Sequence, residues 1–120
     1  MADTTRLRGQ SVLVVEDDFL IADDLRRSLE ASGATVWGPV ADVAGALDLL
    51  DRTPSPDLAV LDVNLGEAMA YPVADRLRVL DIPFVLATGY DRPSLPEAYR
   101  DLPLCEKPGD VAQHLAAMLA

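Results

Sequence analysis

The feature that most narrows the fold is a change of period. The chain switches repeatedly between short, unbroken aliphatic runs and longer segments whose apolar residues recur at helical spacing. Residues 11–15, 57–61 and 82–87 are continuous β-branched or aliphatic runs, the pattern of parallel strands covered on both faces. Weaker strand candidates lie at 34–37 and 102–105, where Pro103 marks an edge strand or a strand start. Between them Ile21, Leu25, Leu29 and Ser32 form one helical stripe, with Asp18 placed to cap its start and Gly33 to end it. Val43, Ala46, Leu47 and Leu50 form a second, and Val73, Leu77 and Leu80 a third, entered through Pro72. Val111, Leu115, Met118 and Leu119 form the last. Pro93 and Pro96 interrupt residues 91–99, so the fourth helix expected there is short or irregular. Strands alternating with helices predict an α/β fold: a doubly wound, five-stranded parallel sheet in the flavodoxin-like order 2-1-3-4-5, with ligands at the carboxyl ends of the strands.

A chain of 120 residues suffices for one core, so a single domain over 1–120 with an ordered core of about 7–119 is expected, without an output domain. The amino-terminal Met and the stop just after the last stripe read as a stand-alone protein. Half the residues are apolar and a quarter charged, as in an ordinary globular protein. A net charge of −10 argues against direct binding to nucleic acid or to a membrane surface. With Cys105 alone there is no internal disulfide, and no secretory pattern or long apolar run is present, so the chain reads as cytoplasmic.

The fold rule says which residues converge. The apolar runs are followed by Glu16-Asp17-Asp18, by Asp62, by Thr88-Gly89 and by Glu106-Lys107-Pro108. Carboxylates, a hydroxyl and an ammonium therefore share one cleft. Several carboxylates that close repel one another unless a cation offsets the charge. Mg²⁺ suits the surplus, since it takes one or two carboxylates, waters and a substrate phosphate, and so implies a phosphoryl group as partner. Lys107 is the only lysine among ten basic residues, and a compact ammonium acts as a point charge on a phosphoryl oxygen.

In this order of residues the chain resembles the receiver domain of two-component response regulators, from about Leu7 to Leu119. Glu16-Asp17-Asp18 resembles the acidic pair after the first strand, Asp62 the phosphorylated aspartate, Thr88 the switch hydroxyl and Lys107-Pro108 the lysine with its following proline. Leu86-Ala87-Thr88-Gly89-Tyr90 is similar to the Phe-Ala-Thr-Gly-Tyr string of the stand-alone FATGUY-type receivers, with Leu86 replacing phenylalanine. The resemblance implies that Asp62 takes a phosphoryl group from the phosphohistidine of a sensor histidine kinase or phosphotransfer protein. It implies Mg²⁺ held by Glu16 through water, by Asp17 and Asp62, and by the backbone carbonyl of Asn64. Thr88 and Lys107 would then reach phosphoryl oxygens and pull their loops inward, signalling to a downstream protein effector or draining phosphate from the kinase.

Leu104 stands where the family commonly has an aromatic residue three positions before the lysine. The switch region of Gly89, Tyr90 and Leu104 must therefore couple differently, and a change of order across Tyr90 to Tyr99 is the expected substitute. Other residues read plainly: His114 as a helix-surface histidine, Trp37 as packing at the end of the second strand, Asp23 as an ion-pair partner of Arg27, and Cys105 as a buried thiol. A haloacid-dehalogenase-like hydrolase would need a second aspartate where Asn64 stands. A calcium loop from Asp62 fails at Gly66 and Val73. The alternative kept is a receiver-like binding scaffold that is not phosphorylated.

Overall fold

The computed structural model describes residues 5–52, 55–66, 68–87, 95–105 and 111–119. Its strands are β1 (Ser11–Val15), β2 (Thr35–Val40), β3 (Leu58–Asp62), β4 (Asn64–Leu65), β5 (Ala68–Met69), β6 (Phe84–Ala87) and β7 (Leu104–Cys105). All but β4 and β5 form a five-stranded parallel sheet in the order β2-β1-β3-β6-β7. Counted by sheet strands alone, that is the predicted 2-1-3-4-5. The helices among the described residues are α1 (Phe19–Ala31), α2 (Val43–Leu50), α3 (Tyr71–Val79) and α4 (Val111–Met118).

The unbroken apolar runs are explained by cover on both sides. Alternate side chains of a strand point to opposite faces. Leu13, Val15, Ala59, Leu61, Phe84 and Leu86 meet Ala46 and Leu50 of α2 and Val73 and Leu77 of α3. Their neighbours Val12, Val14, Val60, Val85 and Ala87 meet Leu25 and Leu29 of α1 and Val111 and Leu115 of α4. Burying one such leucine is worth about 1.5–3 kcal/mol. The inward stripe, more than intrinsic propensity, therefore holds each helix in place.

Helix α1 begins and ends where predicted. Asp18 accepts hydrogen bonds from the Leu20 and Ile21 amides at 3.0 and 3.1 Å. Gly33, at φ +92°, turns the chain after it, and a Cβ there would lie 3.0 Å from the Arg8 Cα. Pro72 sits in the first turn of α3, and Leu80 is the residue that caps its end.

One expectation needs correction, one is met, and one feature is new. Strand β2 continues past Trp37 to Val40, so Trp37 lies within the strand, half-buried against the α2–α3 side of the core. The extension crosses Gly38 and Pro39 because β2 is an edge strand and needs no donor on its open side. A bulge lets it: Trp37 pairs with Leu13 and Val40 with Val15, while Gly38 adopts φ +92° with a would-be Cβ only 2.7 Å from the Val40 amide. As expected, the fourth helical segment is short: among the described residues it holds one 3-10 turn, Glu97–Tyr99, and residues 88–94 lie outside the described set. That turn is clasped to α3: the Tyr71 and Tyr99 rings stack at 4.3 Å, the Arg78 guanidinium lies 5.3 Å from the Tyr99 ring centre, and the Tyr99 hydroxyl donates to Asp75 at 2.9 Å. Finally, β4 and β5 make an antiparallel hairpin that the periodicity did not announce.

Candidate functional site

Strands β1 and β3 are neighbours, with Val15 opposite Leu61, so their next residues emerge side by side. Glu16 is fixed by its amide, which donates to the Val40 carbonyl at 2.9 Å, so the end of β2 sets the turn leaving β1. Its side chain is buried and accepts from the Asp18 amide at 3.1 Å. Asp62 closes β3, also buried, and its Oδ1 accepts from the Asn64 amide at 3.2 Å. Asp17, between the capping turn and β1, is exposed.

One oxygen each from Glu16, Asp17 and Asp62 lies within 4.8 Å of the other two. Two of these three groups are out of water at the carboxyl end of a parallel sheet. The donor set is oxygen only and carries a surplus of negative charge, which suits a hard divalent cation such as Mg²⁺ rather than a soft metal. Asp18 is spent on the helix cap, as the sequence reading expects.

Of the residues predicted to share this site, Glu16, Asp17 and Asp62 are brought together, and Asn64 stands beside Asp62 through its amide. Thr88, Gly89, Tyr90 and Lys107 lie outside the described residues. Their described neighbours are informative: Ala87 pairs with Asp62, and Cys105 pairs with Ala87. Leu104 is half-buried in β7 opposite Leu86 and packs on the core. Cys105 is buried, His114 lies on the exposed side of α4, and Asp23 pairs with Arg27 at 2.8 Å.

Beside the acids is a cleft of about 240 Å³ lined by Glu16, Asp17, Phe19, Ala22, Asp23, Arg26, Pro39 and Ala41. Its Arg26 is held between Asp23 at 2.6 Å and Glu30 at 2.7 Å. The hydrogen bond from Arg26 holds the Asp23 carboxyl below the usual carboxylate range, with Arg27 adding to it. Phe19, which lines the cleft, and Leu20 after it are 81% and 74% exposed at the start of α1.

Sequence reading missed the role of the hairpin. Gly66 at its turn leans over Asp17, where a Cβ would come within 3.3 Å of Oδ2. The one trace in the sequence is Gly66 itself, the residue that also rules out a calcium loop.

An acidic trio at the ends of adjacent strands of a 2-1-3-4-5 sheet is the arrangement of a receiver. No family model matches the chain. The solution structure of SdrG from Sphingomonas melonis Fr1 is similar at 43% identity and TM-score 0.79, over 92% of this chain and 97% of that one. A second, of the BeF3-activated conformation of SdrG from Pseudomonas melonis Fr1, matches at 42% identity and TM-score 0.75, with both chains covered in full. The response regulator receiver domain (CheY-like) from Methylobacillus flagellatus matches at 26% identity and TM-score 0.73, over 92% and 96% of the two chains. The chain belongs to the response regulator receiver family. Among curated relatives, response regulator MprA of Mycobacterium sp. strain KMS is 37% identical over 82 residues, 67% of this chain and 35% of its own length. The chain spans 30% to 35% of the length of the curated relatives it matches. Among the described residues no helix is long and apolar enough to cross a membrane.

Proposed function

We propose that the protein accepts a phosphoryl group on Asp62 and changes conformation in response, as a signalling protein rather than an enzyme acting on a separate substrate. The observation that carries this is the convergence of Glu16, Asp17 and Asp62 within 4.8 Å, in a member of the receiver family. The donor is the phosphohistidine of a sensor histidine kinase or of a phosphotransfer protein. An Asp62 oxygen attacks phosphorus in line, the P–N bond breaks, and the imidazole leaves with a proton, giving an acyl phosphate on the protein. Transfer of this kind needs positioning and charge neutralisation more than covalent chemistry. The Asn64 amide orients the Asp62 carboxylate, and its burial excludes competing water.

Glu16 through water, Asp17, Asp62 and the Asn64 backbone carbonyl would hold Mg²⁺, which supplies neutralisation of the charge gathered on the transferred group. The pairing of Ala87 with Asp62 and of Cys105 with Ala87 supports roles for Thr88 and Lys107 at the phosphoryl oxygens, since each follows one of these residues closely in the chain. Gly89, Tyr90 and Leu104 form the proposed switch region. SdrG has a BeF3-activated conformation, and that fluoride has the shape and charge of a bound phosphoryl group. Residues 1–120 act as one receiver domain in the cytoplasm, passing the signal to a protein effector or drawing phosphate from the kinase.

The test is incubation with acetyl phosphate, with and without Mg²⁺, followed by intact mass. A single phosphoryl increment that is Mg²⁺-dependent, labile to hydroxylamine and absent from Asp62→Asn is expected. An increment that persists in Asp62→Asn, or none in the unsubstituted protein, overturns the proposal.

A further inference from the structure

The β4–β5 hairpin touches two of the three acids. At its start the Asn64 amide donates to Asp62 Oδ1 at 3.2 Å. At its turn Gly66 faces Asp17, and a Cβ there would lie 3.3 Å from Asp17 Oδ2, closer than side chains ordinarily approach. The hairpin is not free to swing away. Val63, Leu65 and Ala70 are buried, and the Ala70 amide closes its base on the Val63 carbonyl at 2.9 Å.

Gly66 has φ +74°, which by itself favours glycine. Gly9 makes the same backbone demand at φ +80°, yet a Cβ there would meet nothing within 4 Å. The two glycines differ in what a side chain would strike.

We infer that Gly66 is a positioning residue for the divalent-cation site: the missing side chain lets the hairpin turn close over Asp17 while Asp17, Glu16 and Asp62 keep their spacing. The inference rests on the cation-dependent function proposed above and deepens it. A methyl group at position 66 would need Asp17 Oδ2 or the hairpin turn to give by a few tenths of an ångström. A shift of Asp17 Oδ2 moves one oxygen of the acidic trio, and Mg²⁺ tolerates little departure from its octahedral geometry.

The experiment is calorimetric titration of Mg²⁺ into the unsubstituted protein, Gly66→Ala and Gly9→Ala after chelator treatment, with thermal melts in parallel. Both variants are expected to lose comparable stability from backbone strain. Gly9→Ala should keep the Mg²⁺ dissociation constant, whereas Gly66→Ala should raise it about tenfold, the scale seen when a residue that orients a metal ligand is altered. Should Gly66→Ala fail to fold, Gly66→Asn carries the same Cβ on a residue more tolerant of positive φ. An unchanged constant in a folded position-66 variant overturns the inference, as does an equal loss in Gly9→Ala. Absence of Mg²⁺ binding by the unsubstituted protein overturns the cation reading itself and this inference with it.

Discussion

The carboxylates gathered at the ends of β1 and β3 repel one another, and Asp62→Asn measures by how much. At the 4.8 Å that bounds their spacing, two unit charges repel by about 0.9 kcal/mol in water and about 3.5 kcal/mol at the effective dielectric of a partly buried site. Glu16 and Asp62 are both buried and lie toward the second figure; Asp17 is exposed and lies toward the first. Asparagine keeps Oδ1 as acceptor for the Asn64 amide, so the substitution removes charge and little shape. Weakening that hydrogen bond from charge-assisted to neutral returns about 1 kcal/mol of the gain. The net expectation is a metal-free protein more stable by about 1–3 kcal/mol, melting about 4–10 °C higher. Mg²⁺ should then narrow or reverse the gap: at about a hundred times its dissociation constant it stabilises the unsubstituted protein by about 2.7 kcal/mol, and the variant by much less. Circular-dichroism melts in chelator and in saturating Mg²⁺ read both effects. If Asp62→Asn melts at or below the unsubstituted protein in chelator, the repulsion argument is wrong.

Asp18→Ala removes the acceptor for two amides at the start of α1 and should cost about 1–2 kcal/mol, read as a lower urea midpoint with an unchanged slope; an unchanged midpoint counts against the cap. The Tyr99 phenol should titrate above its ordinary value, chiefly because its hydroxyl donates to the Asp75 carboxylate, with partial burial acting the same way. The neutral phenol is the form the fold favours. This contribution is therefore fully present below about pH 10, where an unfolded tyrosine titrates, and is lost as pH rises through the raised folded value. Phenolate absorbance should show Asp75→Asn shifting one tyrosine transition downward, and no shift would remove Asp75 as the cause.

What was legible in the sequence depended on period and on local signals. The runs of β1, β3 and β6 are apolar throughout because both faces are covered, so they stand out against any helix stripe. Asp18, Gly33 and Pro72 punctuate their helices by backbone rules that act over a few residues. Glu16, Asp17 and Asp62 were found because topology fixes which strand ends meet, a non-local fact that follows from the fold class. Other features gave no such signal. Strand β2 crosses Pro39, which reads as a stop until one knows that the strand lies at an edge and carries a bulge. The β4–β5 hairpin has strands of two residues, too short for any periodicity, and its closeness to Asp17 rests on packing. The stack of Tyr71 on Tyr99 joins residues far apart in the chain, and nothing in either neighbourhood announces the other.

The two margins of the sheet are unlike its middle. On one side the bulge at Gly38 and Pro39 breaks the row of backbone donors and acceptors that β2 would otherwise offer; on the other, β7 is two residues long. Margins of this kind give an incoming strand little to zip onto. Among the described residues, neither margin offers a second copy of the chain a long, flat row of backbone groups to pair with.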